Sequence, residues 1–231
     1  MLRGIFSRFN RKAVETVKPF ERHLPPMDLR VILCDPRRDV VDAWIDHFRD
    51  VAAVEIVCGS LFNVRCEALV CPANSFGDMS GGLDQAIDNH YEGAAQRAVV
   101  QRIREEHLGE LPVGAALIVR TEKARLPLII AAPTMRTPGS VSATINAYLA
   151  MRAVLVAVTR GAQPSQPIRR LAVPGLCTGV GGMHPGLAAR QMRAAYDNVI
   201  GGEWDAIVHP AMAPFALGAE GGKRWTLSAP E

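Results

Sequence analysis

The sequence predicts an α/β fold in three layers, with helices covering both faces of a central sheet. Three observations predict it. Short apolar, β-rich runs alternate with longer stretches of helical periodicity. Those runs are apolar at successive positions, as strands covered on both faces are. The chain has 231 residues, 48% of them hydrophobic and 21% charged, which is enough to bury a core without disulfides or metal.

The elements follow in order. LRVILC (29–34) reads as a strand, and Asp35-Pro36 then supplies an N-cap and a first-turn proline. Val40, Val41, Trp44, Ile45 and Phe48 recur at helical spacing, which makes Trp44 and Phe48 core residues. VEIVC (54–58) and ALVCPA (68–73) are the second and third strands. A charged helical segment runs from about 82 to 107 and closes near Gly109. AALIVR (115–120) and LPLIIAAP (126–133) read as two more strands. Ser140 is placed to cap a helix running to about Thr159. RRLAVPG (169–175) is a strand, followed by a glycine-rich loop and a helix from Pro185 to about Ile200. DAIVHP (205–210) reads as the last strand. The expected organisation is a basic arm at 1–27, one domain at 28–210 and an unpatterned Ala/Gly/Pro-rich tail at 211–231.

Several function classes drop out. The greasiest run, Leu126 to Met135, falls far short of the roughly 20 residues a spanning helix needs and contains two prolines, so no membrane span is expected. Lys plus Arg number 26 against 23 Asp plus Glu, a balance too even for nucleic acid as the main partner. In the arm, Arg3, Arg8, Arg11, Lys12, Lys18 and Arg22 outnumber Glu15 and Glu21. It reads as a flexible segment or as one that docks a partner. Five cysteines without CxxC spacing point away from a disulfide framework and towards a reducing cytoplasm. Six scattered histidines without HExxH give no reason to expect a metal, and no cofactor is expected.

Two loops at the carboxyl ends of strands carry the chemistry. CPANSFGDMSGGLD (71–84) sets Gly81-Gly82 before a helix, with Asn74 and Asp84 ten residues apart. PGLCTGVGGMHPG (174–186) is rich enough in glycine to form a nest of amides suited to a diphosphate. GxGxxG fails because His184 stands at its last position, and GxxxxGK[ST] is absent. A nicotinamide dehydrogenase or P-loop NTPase is therefore disfavoured.

Together these loops resemble the macrodomain, the ADP-ribose-binding and Appr-1''-p processing family. CPAN followed by SGGLD is similar to its N-A-A-N signature, with Asn74 and Asp84 at the family's spacing. CTGVGG (177–182) is similar to S-T-G-x-aromatic-G, and Gly59-Ser60-Leu61 to its turn before the third strand. The resemblance implies a three-layer α/β/α sandwich with a mixed, mostly parallel sheet. It implies a cleft for ADP-ribose or an ADP-ribosylated macromolecule, with Asn74, Gly81 and Gly82 at the distal ribose. Thr178, Gly179, Val180 and Gly181 would hold the diphosphate through backbone amides, Ser60 would meet the adenine, and Gly59, Leu61, Ala73, Cys177 and Gly182 would be further ligand contacts. It implies mono-ADP-ribosyl hydrolysis with Asn74 and Asp84 as the catalytic pair, Asp84 activating water. The alternatives are a reader without turnover and an interaction protein that has kept the fold and lost the ligand.

The departures are specific. Ser60 stands where the family has an adenine-reading acid, with Asp35 or Asp78 as possible substitutes. Cys71 replaces the first Asn. Gly181 replaces the aromatic, with Met183 or Phe76 available to close that side. Each residue also has a plainer role. Asn74 suits an Asx turn and Asp84 a first helical turn. Cys71 and Cys177 read as packing rather than as nucleophiles, His184 and Arg136 as loop residues, and Tyr196 as a helix-face residue rather than an adenine contact.

Overall fold

Strand β1 (Arg30–Asp35) opens the fold and is buried from its second residue onwards. The computed structural model describes residues 28–122, 126–161, 167–206 and Pro210. After β1 come α1 (Arg38–Phe48), β2 (Val54–Cys58), β3 (Ala68–Cys71), α2 (Gly82–His90), α3 (Ala94–His107), β4 (Leu117–Arg120), β5 (Leu128–Ala131), α4 (Asn146–Gly161), β6 (Arg170–Val173) and α5 (Pro185–Val199).

The six strands form one sheet in the order β2-β1-β6-β3-β5-β4. All neighbours are parallel except β4, which runs antiparallel to β5. The sheet is therefore mixed and mostly parallel. Successive side chains alternate between two cores, as the strand period of two requires. Val31, Leu33, Val70, Ile130 and Val173 face α1, α4 and α5. Ile32, Leu69, Ile129 and Ala172 face α2 and α3 through Ile87, Val99 and Ile103. Phe48 and Tyr196 meet edge to face, their ring centres 6.2 Å apart, where α1 packs on α5. Trp44 is fully buried beside them.

Four boundaries differ from the sequence reading. Asp35 does not cap α1. It closes a turn by accepting from the Arg37 amide at 2.9 Å, and the helix starts three residues on. The segment 82–107 is two helices, broken where Gly93 takes φ +77 between them. Ser140 lies in the loop before α4 and bonds Ser142 rather than a helix N-terminus. The expected strand at 205–210 begins inside a 3-10 turn, Glu203–Ala206. Residues 207–209, the basic arm and the tail from 211 lie outside the described residues. Among the described residues no helix is long and apolar enough to cross a membrane.

Because β1, β6, β3 and β5 are parallel, their carboxyl ends share one edge of the sheet. The loops leaving them stand in that order: 36–37, 174–184, 72–81 and 132–145. The two loops singled out by sequence are therefore neighbours, and the β6 loop sits between Arg37 and the Asn74 segment.

Candidate functional site

A cleft of about 730 Å³ opens over these strand ends. It is lined by both candidate catalytic side chains, Asn74 and Asp84. Ser60, Leu61, Ala73, Gly81, Gly82, Cys177, Gly179, Val180 and Gly181 line it too. Gly59, Thr178 and Gly182 do not. Gly59 lies behind it, its carbonyl accepting from the Cys34 thiol at 3.3 Å. Gly182 turns the loop back, its amide donating to the Gly179 carbonyl at 3.0 Å. Thr178 is buried and braces the loop, donating its hydroxyl to the Gly175 carbonyl at 3.0 Å.

The floor of the cleft is rich in uncommitted donors. The amides of Gly179, Val180 and Gly181 have no partner among the described residues. Three successive free N–H groups form an anion-binding concavity. The bend that presents them is held by Cys177, a buried non-glycine residue at φ +65. Its carbonyl accepts from the Met183 amide at 3.0 Å, which holds an otherwise unfavourable backbone conformation. Across the cleft, α2 starts at Gly81 with no side-chain cap, leaving the Gly82 and Leu83 amides without partners among the described residues.

Asp84 lies in that first turn and is half-buried. Burial pushes its carboxyl up to about 6, with a smaller contribution from the nearby Asp78 charge. A thiol opposes the rise: Cys71, fully buried at the end of β3, donates S–H to Asp84 Oδ1 at 3.1 Å. The same burial and the Asp84 charge push the Cys71 thiol far above its ordinary range. Burial pushes the Cys177 thiol up to about 12. Both sulfurs therefore remain protonated at neutral pH and are poor nucleophiles. Removing the donor in Cys71→Ala is expected to raise the Asp84 pKa further. A carbon-13 titration of the Asp84 carboxyl checks this, and a fall in its midpoint would contradict the role assigned to the thiol.

Asn74 spends its carboxamide on the loop. Oδ1 accepts from the Phe76 and Asp78 amides at 3.0 and 3.3 Å, and Nδ2 donates to the Asp78 carbonyl at 2.8 Å. The Asx-turn role is therefore real, and it holds the segment leading to Asp84.

The proposed stand-ins fare differently. Asp35 is buried with both carboxylate oxygens engaged, by the Arg37 amide and side chain and by the Gly175 amide, so it is not free to read a base. Asp78 accepts from the amide and hydroxyl of Ser80. Met183 is core. Phe76 does not line the cleft and carries the Arg136 guanidinium over its ring at 5.4 Å. Arg136 is paired to Glu110 at 2.7 and 2.9 Å. His184 caps α5 through Nδ1, which accepts from the Gly186 amide. Among the described residues no group of three His, Cys, Asp or Glu is arranged to hold a metal.

The sequence reading passed over Arg37. Its guanidinium reaches Thr178, on the far side of the chain in sequence, and faces the cleft. Its only local signal was a basic residue directly after Asp-Pro.

Residues 70–192 match the family model for the Macro domain, more than half of the chain. The chain belongs to the macrodomain family. A relative from Aquifex aeolicus is 32% identical over 139 residues, covering 60% of this chain and 78% of the relative. The macrodomain of Mycobacterium tuberculosis DarG superposes with a TM-score of 0.51 at 22% identity, covering 61% of this chain and 87% of that one. Thermosipho africanus DarTG, solved in complex with ADP-ribose, gives 0.50 at 19% identity over 60% of this chain and 37% of its own. Identities this low speak for the fold, and the macrodomain cleft has to be read from its own residues.

Proposed function

We propose that this macrodomain binds ADP-ribose in the cleft and hydrolyses ADP-ribosyl linkages on a macromolecule. The observation that carries the reading is the meeting, in one cleft, of three unclaimed amides from the β6 loop and an Asp whose carboxyl is pushed up to about 6. A diphosphate over the β6 loop puts one sugar towards Ser60 and the other towards Asp84, following the loop order along the sheet edge.

In this reading Asp84 is the general base. Its carboxylate accepts a proton from water as the water oxygen bonds to the anomeric carbon of the distal ribose. The bond from that carbon to the target's side chain breaks with its electron pair leaving on the target, and solvent supplies the proton there. The products are ADP-ribose with a free anomeric hydroxyl and the unmodified target. A base titrating near 6 is ionised at neutral pH yet still basic enough to accept a proton. The uncapped start of α2 favours negative charge at the same place. The five cysteines are all unpaired, which suits work in the cytoplasm. The binding unit spans 28–210 in this proposal, with the arm and tail as flanking segments.

Calorimetry and thermal shift with ADP-ribose test the binding step. Ligand at 100 times its dissociation constant is expected to add about 2.7 kcal/mol of stability. No heat and no shift would reject the reading. One observation favours a reader without turnover instead: the Asn74 carboxamide oxygen accepts two bonds from its own loop and its nitrogen spends one of its two donors there. Incubation with mono-ADP-ribosylated protein decides between the two, since a reader binds and releases nothing.

A further inference from the structure

Among the described residues lining the cleft, the charged side chains are Asp35, Asp78, Asp84 and Arg37. Arg37 is thus the one cation beside three carboxylates. Any anionic ligand entering this cleft meets net negative side-chain charge, and Arg37 and the backbone amides are what offset it.

Arg37 is also held in place. Its Nε donates to Asp35 Oδ1 at 3.2 Å, its Nη1 to the Thr178 carbonyl at 2.9 Å and its Nη2 to the Thr178 hydroxyl. Asp35 is buried and fixed from behind by the Gly175 amide at 3.3 Å. No side chain fits at Gly175, where a Cβ would lie 2.6 Å from Thr178 Oγ1 and 2.8 Å from Asp35 Oδ2. A guanidinium carries five N–H donors. Three are used here, which leaves two on a side chain that is 42% exposed and borders the cleft. A pre-positioned, partly desolvated guanidinium with free donors beside a nest of amides is built to recognise a phosphate.

We infer that Arg37 is a specificity-determining residue of the cleft, donating to a ligand phosphate beside the β6 loop and making binding depend on the ligand's negative charge. The inference deepens the ADP-ribose reading and rests on its placement of the diphosphate.

The experiment is calorimetry of wild type, Arg37→Gln and Arg37→Lys with ADP-ribose, ADP, inorganic pyrophosphate and adenosine at two salt concentrations. A melting curve for each variant confirms folding. Loss of one charge-assisted contact is expected to weaken ADP-ribose and ADP about 10- to 100-fold in Arg37→Gln. Adenosine is expected to be unaffected, the salt dependence to flatten and Arg37→Lys to recover part of the loss. Equal affinity in all three proteins overturns the inference. So does a uniform loss that includes adenosine with the salt dependence intact, because Arg37 then only braces Thr178. If wild type binds ADP and pyrophosphate through Arg37 but not ADP-ribose, the ADP-ribose reading falls and the role of Arg37 stands. If wild type binds no phosphate ligand, both fall.

Discussion

Replacing Asp84 with asparagine is expected to abolish most turnover while making the protein more stable at neutral pH. On the catalytic side, loss of a positioned general base costs about 10²- to 10⁴-fold in rate. ADP-ribose affinity should move little, because the amides of 179–181 remain in place. The wild-type rate should rise with pH through about 6, where the Asp84 carboxyl ionises. On the stability side the sign follows from linkage. Burial holds the folded-state carboxyl at about 6 against its ordinary 3.8, so the folded state binds the extra proton between those values. Protonation stabilises the fold fully below about pH 4, and that contribution is lost as pH rises through 6. Above 6 the wild type carries the cost of a half-buried charge, and asparagine removes it. After allowance for solvent screening the gain is about 1–2 kcal/mol at pH 7, or a few degrees in Tm. Melting curves at pH 4 and pH 7 check it. A variant less stable than wild type at pH 7, or an Asp84→Asn protein that still releases ADP-ribose at the wild-type rate, contradicts the assignment. A carboxylate held near 6 by burial costs stability, the trade expected of the general base proposed here.

Much of this could be read in the sequence because it is local. β3 is buried throughout and β1 and β6 from their second residue, so each carries a continuous apolar run whose identity does not depend on its neighbours. The loops at 71–84 and 174–186 declared themselves by glycine and by the residues following a strand. The remainder depends on contacts remote in sequence. Nothing near Arg37 reveals that it ends against Thr178, 141 residues away. Nothing near Cys71 says that its thiol will meet Asp84 across the first turn of α2. Of the strand expected at 205–210, residues 205 and 206 lie in the 3-10 turn Glu203–Ala206, and 207–209 lie outside the described residues. Asn74 was correctly placed at the turn, but which of its atoms remained free for a ligand depended on how residues 76 and 78 folded back.

Gly181 shows the same dependence, and it carries the second large prediction. Members of the family that this loop resembles have an aromatic at this position, so Gly181→Phe looks like a restoration. It is expected to fail, and Gly181→Ala alone should suffice to show why. A Cβ at 181 would lie 2.6 Å from the Cys177 carbonyl oxygen and 2.7 Å from Val141 Cγ2. Val141 comes from the loop between β5 and α4, and its amide donates to the Gly181 carbonyl at 2.8 Å. The space an aromatic would use is thus occupied by a side chain forty positions upstream. Relief by moving Val141 is cheap, but relief from the Cys177 carbonyl is not, because that oxygen is backbone and holds the left-handed bend through the Met183 amide. Shifting it displaces the amides of 179–181 together. The expected cost of Gly181→Ala is about 1–3 kcal/mol in denaturant unfolding. The expected loss in ADP-ribose affinity is roughly tenfold or more, as the nest of amides loses its shape. Val141→Ala in the same chain should return only part of either loss, because it clears one obstruction of two. If Gly181→Ala unfolds at the wild-type midpoint and binds with the wild-type affinity, the loop is softer than its packing implies. If the double variant recovers fully, Val141 rather than the Cys177 carbonyl is what excludes a side chain.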